Sequence, residues 1–219
     1  MKAIKSAMPV LIETGYDEWP YAVRGTFFVA DVAGAMYVVT ARHVVEGNSA
    51  TSVFFRYRSG SRYSLPLDQT VIVKEYAGPE SPEYTDVILY RIAVDEISEP
   101  FVNAKLDTER RPWSLLTKGD SIIFRGYPSE LQGAEASGLK EQGVVMDAKY
   151  SGLGTHPGCH EIELFPSELF TFHDGFSGSP VFLFKDGKTQ LVGLLVKANS
   201  YQSRALFVDG SVIHALASG

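Results

Sequence analysis

Three side chains in this sequence are of types that can act together in acyl transfer. Ser177 lies in the segment Asp174-Gly175-Phe176-Ser177-Gly178-Ser179-Pro180-Val181-Phe182. Gly175 allows the backbone dihedrals of a tight loop, and Gly178 lets another chain pass close. A serine hydroxyl is a weak nucleophile without a base. Such a loop can also aim backbone N–H groups at one spot, where each donor to a developing oxyanion contributes roughly 10²–10³ in rate. The same residues also fit a plain Ser/Gly hairpin turn. His43 ends the run Tyr37-Val38-Val39-Thr40-Ala41-Arg42. A histidine at a strand end is rigidly held yet can reach a cleft, and an imidazole titrates near neutral pH, which suits proton transfer. By itself it reads equally well as a core or surface histidine. Asp86 stands directly before Val87-Ile88-Leu89-Tyr90. It fits a turn or cap, or a buried carboxylate that holds a histidine in one tautomer. Asp95 is a rival acid, but it follows that run instead of preceding it.

The elements that must position these groups read as strands. Eleven short runs rich in apolar, β-branched and aromatic residues recur between turn residues: 26–31, 35–40, 53–57, 70–75, 87–92, 121–124, 143–147, 161–165, 180–184, 191–196 and 205–208. Helical period is confined to 211–217, a short final helix, and a turn at 43–46. The pattern predicts an all-β sandwich or barrels, not alternating βα units. The polar segment 107–112 reads as a connector, and 129–142 and the Gly-rich 152–160 as loops.

Composition bounds the partners. The chain has 219 residues, 45% hydrophobic and 21% charged, with a net charge of −6. That is enough for one large β domain or two small lobes around a shared site. No long basic run occurs, which argues against nucleic-acid binding. No apolar stretch reaches membrane-spanning length, so no membrane partner is expected. Cys159 is the lone cysteine, and the N-terminal residues lack the apolar run of a signal peptide. The expectation is a reducing, cytoplasmic setting. No cofactor is implied.

The loop Gly175–Phe182 resembles the nucleophile loop of chymotrypsin-like (trypsin-like) serine peptidases. Thr40-Ala41-Arg42-His43-Val44-Val45 resembles their histidine motif, and Thr85-Asp86-Val87-Ile88-Leu89-Tyr90 their aspartate motif. The order His, Asp, Ser is that family's order, with gaps of 43 and 91 residues. The likeness extends from Gly25 to Ala217. It implies two antiparallel six-stranded β-barrels with the active site in the cleft between them and a short C-terminal helix. The lobes would be 1–110, carrying His43 and Asp86, and 111–219, carrying Ser177 and the specificity pocket. By the resemblance Ser177 attacks a carbonyl, His43 moves its proton, and Asp86 orients His43. The N–H groups of Gly175 and Ser177 form the oxyanion hole, and Val196, Lys197 and Ala198 bind the substrate backbone as an added strand. The partner implied is a protein or peptide substrate.

Two departures narrow the resemblance. The residue before the nucleophile is Phe176. In the digestive branch an Asp there binds a newly cut N-terminus and orders the site. The chain therefore looks more like the bacterial and housekeeping branch, including heat-shock proteases and glutamyl endopeptidases. Its site would form without a processed terminus, or be switched by an activating partner protein or fused domain. At the selector positions of the pocket stand Thr171, where the basic-residue selector matches, with Phe172 beside it, and Leu195, where glutamyl endopeptidases carry a histidine. These imply cleavage after small or medium uncharged residues. The competing class is a catalytically silent or partner-activated domain that binds protein, its loop misordered around Phe176. His156, Cys159 and His160 are metal-ligand types, but a fourth ligand is not evident and no metal is expected. His173 and Asp174 read as a solvated turn.

Overall fold

The structure, a computed structural model, describes residues 3–18, 20–48, 52–57, 63–72, 86–135, 138–165, 175–199 and 203–219. A 3-10 turn over Ala3–Ser6 leads into β1 (Ala7–Glu13), β2 (Tyr21–Val32) and β3 (Ala35–Thr40). A single helical turn, α1 (Arg42–Val45), follows, then β4 (Val53–Phe54), β5 (Leu67–Ile72), β6 (Ile88–Ile92) and β7 (Asn103–Leu106). These strands form one sheet in the order β4-β1-β2-β3-β6-β5, and β7 pairs in parallel with the far end of β2. Among the described residues this barrel-like sheet, which the resemblance implied, curves as a half-barrel.

The second half closes fully. Strands β8 (Ser121–Gly126), β11 (Val144–Leu153), β12 (Cys159–Leu164), β13 (Pro180–Lys185), β14 (Lys188–Asn199) and β15 (Arg204–Asp209) run β11-β12-β15-β14-β13-β8, and β8 pairs back onto β11. Closure removes every unpaired edge from this barrel. Between β8 and β11 sits a small hairpin, β9 (Gly133–Glu135) and β10 (Gly138–Lys140), where the sequence reads as a loop. The chain ends in α2 (Gly210–Ser218).

The N-terminal sheet is buried on both faces. Phe27, Val29, Val38 and Ile88 pack with Phe55 and Val44 on its concave side. Phe28, Ala30, Val39 and Leu89 alternate to the other side, where they join the core of the closed barrel with Trp113, Phe124, Phe182 and Ile213. Double-sided burial makes Phe27-Phe28-Val29-Ala30 a continuous apolar run instead of an alternating one. β1 escapes the strand pattern because Pro9 lies inside it, opposite Thr26, and the register slips by one residue at Val10/Leu11. The strand expected over 70–75 is met in part, since β5 reaches Ile72 and the rest lies outside the described residues. No described helix is long and apolar enough to cross a membrane.

Candidate active site

β3 ends at Thr40, and α1 turns the chain so that Val44 and Val45 are buried while His43 faces outward. The Asp86 carboxylate takes hold of His43 twice. Its Oδ1 accepts from the His43 backbone N–H at 2.9 Å, and its Oδ2 lies 2.5 Å from Nδ1. The Asp86 carbonyl also accepts from the Arg42 N–H at 3.3 Å. A carboxylate only accepts, so Nδ1 carries a proton, and in the neutral ring the lone pair is on Nε2. Among the described residues nothing bonds to Nε2. The His43 side chain is 49% exposed and that of Asp86 21%, which leaves the free nitrogen open to a ligand. Asp95 lies instead in a 3-10 turn beyond β6.

Ser177 comes from the other half of the molecule. Its loop precedes β13 and is pinned on all sides. The Thr26 N–H donates to the Ser177 carbonyl at 2.9 Å, and the Gly178 N–H donates to the Leu195 carbonyl at 2.8 Å. The Leu195 N–H in turn donates to the Ser179 carbonyl at 2.9 Å. Gly175 and Gly178 both take positive φ, +108° and +90°. A Cβ on Gly178 would lie 1.8 Å from the Thr26 carbonyl oxygen, and one on Gly175 would lie 2.2 Å from that of Tyr127. No other residue fits either place.

The histidine turn and the serine loop meet at Gly25. A Cβ built on Gly25 would meet Val44 at 2.7 Å and the Ser177 carbonyl at 3.1 Å. The turn that carries His43 and the loop that carries Ser177 therefore press on the same glycine. The Ser177 hydroxyl donates at 3.4 Å to the carbonyl of Val196, not to His43. That distance makes a weak bond. The Val196 carbonyl is available because Val196 is the bulged residue of β14, skipped in the pairing with β15 between Leu195 and Lys197. The N–H groups of Gly175 and Ser177 donate to nothing among the described residues.

The remaining expected site residues divide. Lys197 is exposed and Ala198 half-buried on β14 beyond the bulge. Leu195 and Val196 bury their side chains in the barrel core, at 1% and 3% exposure. Thr171 and Phe172, and with them His173 and Asp174, lie outside the described residues. Phe176 is buried and meets Phe124 edge-on at 5.8 Å between ring centres.

A second histidine also pairs with an aspartate. His160 bonds Asp209 Oδ2 through Nε2 at 3.0 Å and the Tyr150 hydroxyl through Nδ1 at 2.9 Å, and its ring stacks on Phe207. It is 4% exposed. With both nitrogens engaged, this ring has no free nitrogen with which to take a proton. Asp209 also caps α2, accepting from the Ser211 N–H and hydroxyl. Burial raises the Asp209 pKa, but the hydrogen bonds from His160 and Ser211 outweigh it and hold the carboxyl below its ordinary value. Burial, and then the charge of Asp209, raises the Tyr150 phenol. Cys159 is buried beside this network, and no metal-binding cluster of His, Cys, Asp or Glu occurs among the described residues.

Sequence reasoning missed Thr26. It is fully buried in the middle of β2, its Oγ1 donates to the Gly175 carbonyl at 2.7 Å, and the same oxygen accepts from the Tyr127 N–H at 3.0 Å. The available signal was a polar residue opening the apolar run after Gly25. No curated protein matches the chain. The sequence model of the trypsin-like peptidase domain does match, over residues 25–194. That span takes in the histidine turn, the aspartate and the serine loop, and on it the chain belongs to the trypsin-like peptidase domain family.

Proposed function

We propose that the chain is a serine endopeptidase in which Ser177, His43 and Asp86 act as a triad. The observation that carries this reading is the grip of Asp86 on His43. It fixes the tautomer and leaves Nε2 open on the turn that shares Gly25 with the serine loop. In this mechanism the Ser177 hydroxyl leaves the Val196 carbonyl by rotating about χ1. Its oxygen attacks the substrate carbonyl carbon as its proton passes to His43 Nε2. The carbonyl π pair moves onto oxygen, where the N–H groups of Gly175 and Ser177 receive it. His43 then gives the proton to the leaving nitrogen, the C–N bond breaks, and an acyl-enzyme remains. Water repeats the sequence, and Ser177 is released.

The freed Val196 carbonyl, with Lys197 and Ala198, takes the substrate backbone as an added strand. Phe176 stands inside the core, where a charged residue would need a buried partner. This supports a site that forms without a newly cut N-terminus, with activation by a partner protein or fused domain as the remaining route. Thr171, Phe172 and Leu195 carry no charge, so cleavage follows small or medium uncharged residues. We take the half-barrel and the barrel as two lobes that meet near residue 110, and the cytoplasm as the setting. The test is hydrolysis of a mixed peptide library by the wild type and by Ser177→Ala. Cleavage after Ala, Val, Thr or Leu that vanishes in the variant is expected. A profile dominated by Arg, Lys, Glu or Asp contradicts the specificity, and no cleavage by either protein favours a silent, protein-binding domain.

A further inference from the structure

Of the two N–H groups assigned to the oxyanion hole, that of Ser177 belongs to a peptide whose orientation is set by a neighbouring side chain. A trans peptide is planar, so its C=O and N–H point in opposite directions, and fixing one fixes the other. The Ser177 N–H shares a peptide with the Phe176 carbonyl. That carbonyl accepts twice from Ser179, at 2.6 Å from Oγ and 3.0 Å from N–H. Ser179 is fully buried, and its hydroxyl fills the space a side chain on Gly126 would occupy, 2.5 Å from the position of an added Cβ. The Gly175 carbonyl is held by Thr26 Oγ1, whose lone pair is in turn engaged by the Tyr127 N–H. That bond fixes the peptide that follows Gly175, and with it the Cα from which the Gly175 N–H projects.

Thr26 comes from the N-terminal sheet and Ser179 from the barrel, so the loop is held from both halves. We propose that Thr26 and Ser179 are positioning residues. The Ser179 hydroxyl holds the Phe176 carbonyl inward so that the Ser177 N–H faces the reacting carbonyl, and the Thr26 hydroxyl holds the Gly175 carbonyl, fixing the Cα from which the second N–H of the hole projects. The inference rests on Ser177 being the nucleophile. It supplies what Phe176 cannot, since an aromatic ring anchors the loop by packing but makes no hydrogen bond that could orient a peptide. Thr26 adds a second link, because its backbone carbonyl accepts from Thr40 Oγ1 at 2.7 Å, three residues before His43.

The experiment compares the full chain with Thr26→Val, Thr26→Ser and Ser179→Ala. Hydrolysis of the p-nitrophenyl ester of an N-blocked alanine gives kcat and KM, and a peptide aldehyde, which forms a tetrahedral oxyanion on the serine, gives an inhibition constant. Melting temperature reports folding. The expected result is a fall in kcat of about tenfold to a hundredfold for Thr26→Val and Ser179→Ala, with KM within about twofold and aldehyde binding weakened in parallel. Thr26→Ser keeps the hydroxyl and is expected within about threefold of the wild type in kcat. An active wild type whose kcat and aldehyde affinity survive in both Thr26→Val and Ser179→Ala overturns the inference alone. So does a Thr26→Ser variant as impaired as Thr26→Val at an unchanged melting temperature. A wild type inert to both ester and aldehyde overturns the reading of Ser177, and this inference with it.

Discussion

Asp86 directs both carboxylate oxygens at one neighbour, one to the main chain of His43 and one to its ring. The second bond decides the chemistry, since it leaves the lone pair on Nε2. Asn in its place keeps the shape, but its amide presents hydrogens toward Nδ1 and favours the opposite tautomer. Asp86→Asn is therefore expected to retain the melting temperature within a few degrees and to lose about 10⁴ in kcat. A thermal melt and a steady-state assay check both. His160 shows that proximity to an aspartate is not enough. Its ring is as well bonded as that of His43, but both nitrogens are occupied and it is sealed from solvent. The pairing of His43 with Asp86 was legible from the motifs and their order. Which histidine has a free nitrogen was not, because it depends on partners distant in the chain: Tyr150, ten residues from His160, and Asp209, 49 residues away.

At the scale of elements, the serine loop is made by its neighbours. Every carbonyl from Gly175 to Ser177 accepts a hydrogen bond, from Thr26, Ser179 and again Thr26. Gly178 lets the loop press against the Thr26 carbonyl. Gly178→Ala would force that contact apart in a backbone region costing an alanine about 1 kcal/mol or more on its own. It is expected to lower the melting temperature and to abolish reactivity at Ser177, as a thermal melt and an activity assay would show. The glycines and the serine were readable as a motif. The holding side of the loop was not, since Thr26 is a lone polar residue at the edge of an apolar run. β1 was hidden for a related reason. Its interior proline breaks the strand pattern, although the neighbouring β2 supplies the pairing that holds it in the sheet.

At the scale of the molecule, the two halves share one core. The same strand, β2, sends Phe27 and Val29 into the half-barrel and Phe28 and Ala30 toward the closed barrel. The Tyr127 hydroxyl, kept as a donor by burial that raises its pKa, reaches the Ala7 carbonyl of β1 at 3.2 Å. The all-β class followed from the spacing of apolar runs, and the pair of barrel-like sheets from the family resemblance. That only the second half closes among the described residues did not, because closure depends on pairing between strands far apart in sequence. The buried His160–Asp209 network ties α2 to the barrel and gives the molecule an acid limit. Asp209 has a lowered folded-state pKa, so its stabilisation is complete above the ordinary carboxyl value of about 3.9 and is lost as pH falls through the lowered value. Melting temperatures taken between neutral pH and pH about 2 are expected to fall more steeply for the wild type than for Asp209→Asn, which has no carboxyl to protonate there.

The central claim is that Ser177 is a nucleophile activated by His43. Its most direct test is labelling of the full chain with a fluorophosphonate, followed by mass spectrometry of the digested protein. A single adduct on the peptide containing Ser177, absent from Ser177→Ala and strongly slowed in Asp86→Asn, is the predicted result. An unlabelled wild type between pH 6 and 9, or an adduct that persists in Ser177→Ala, would contradict it.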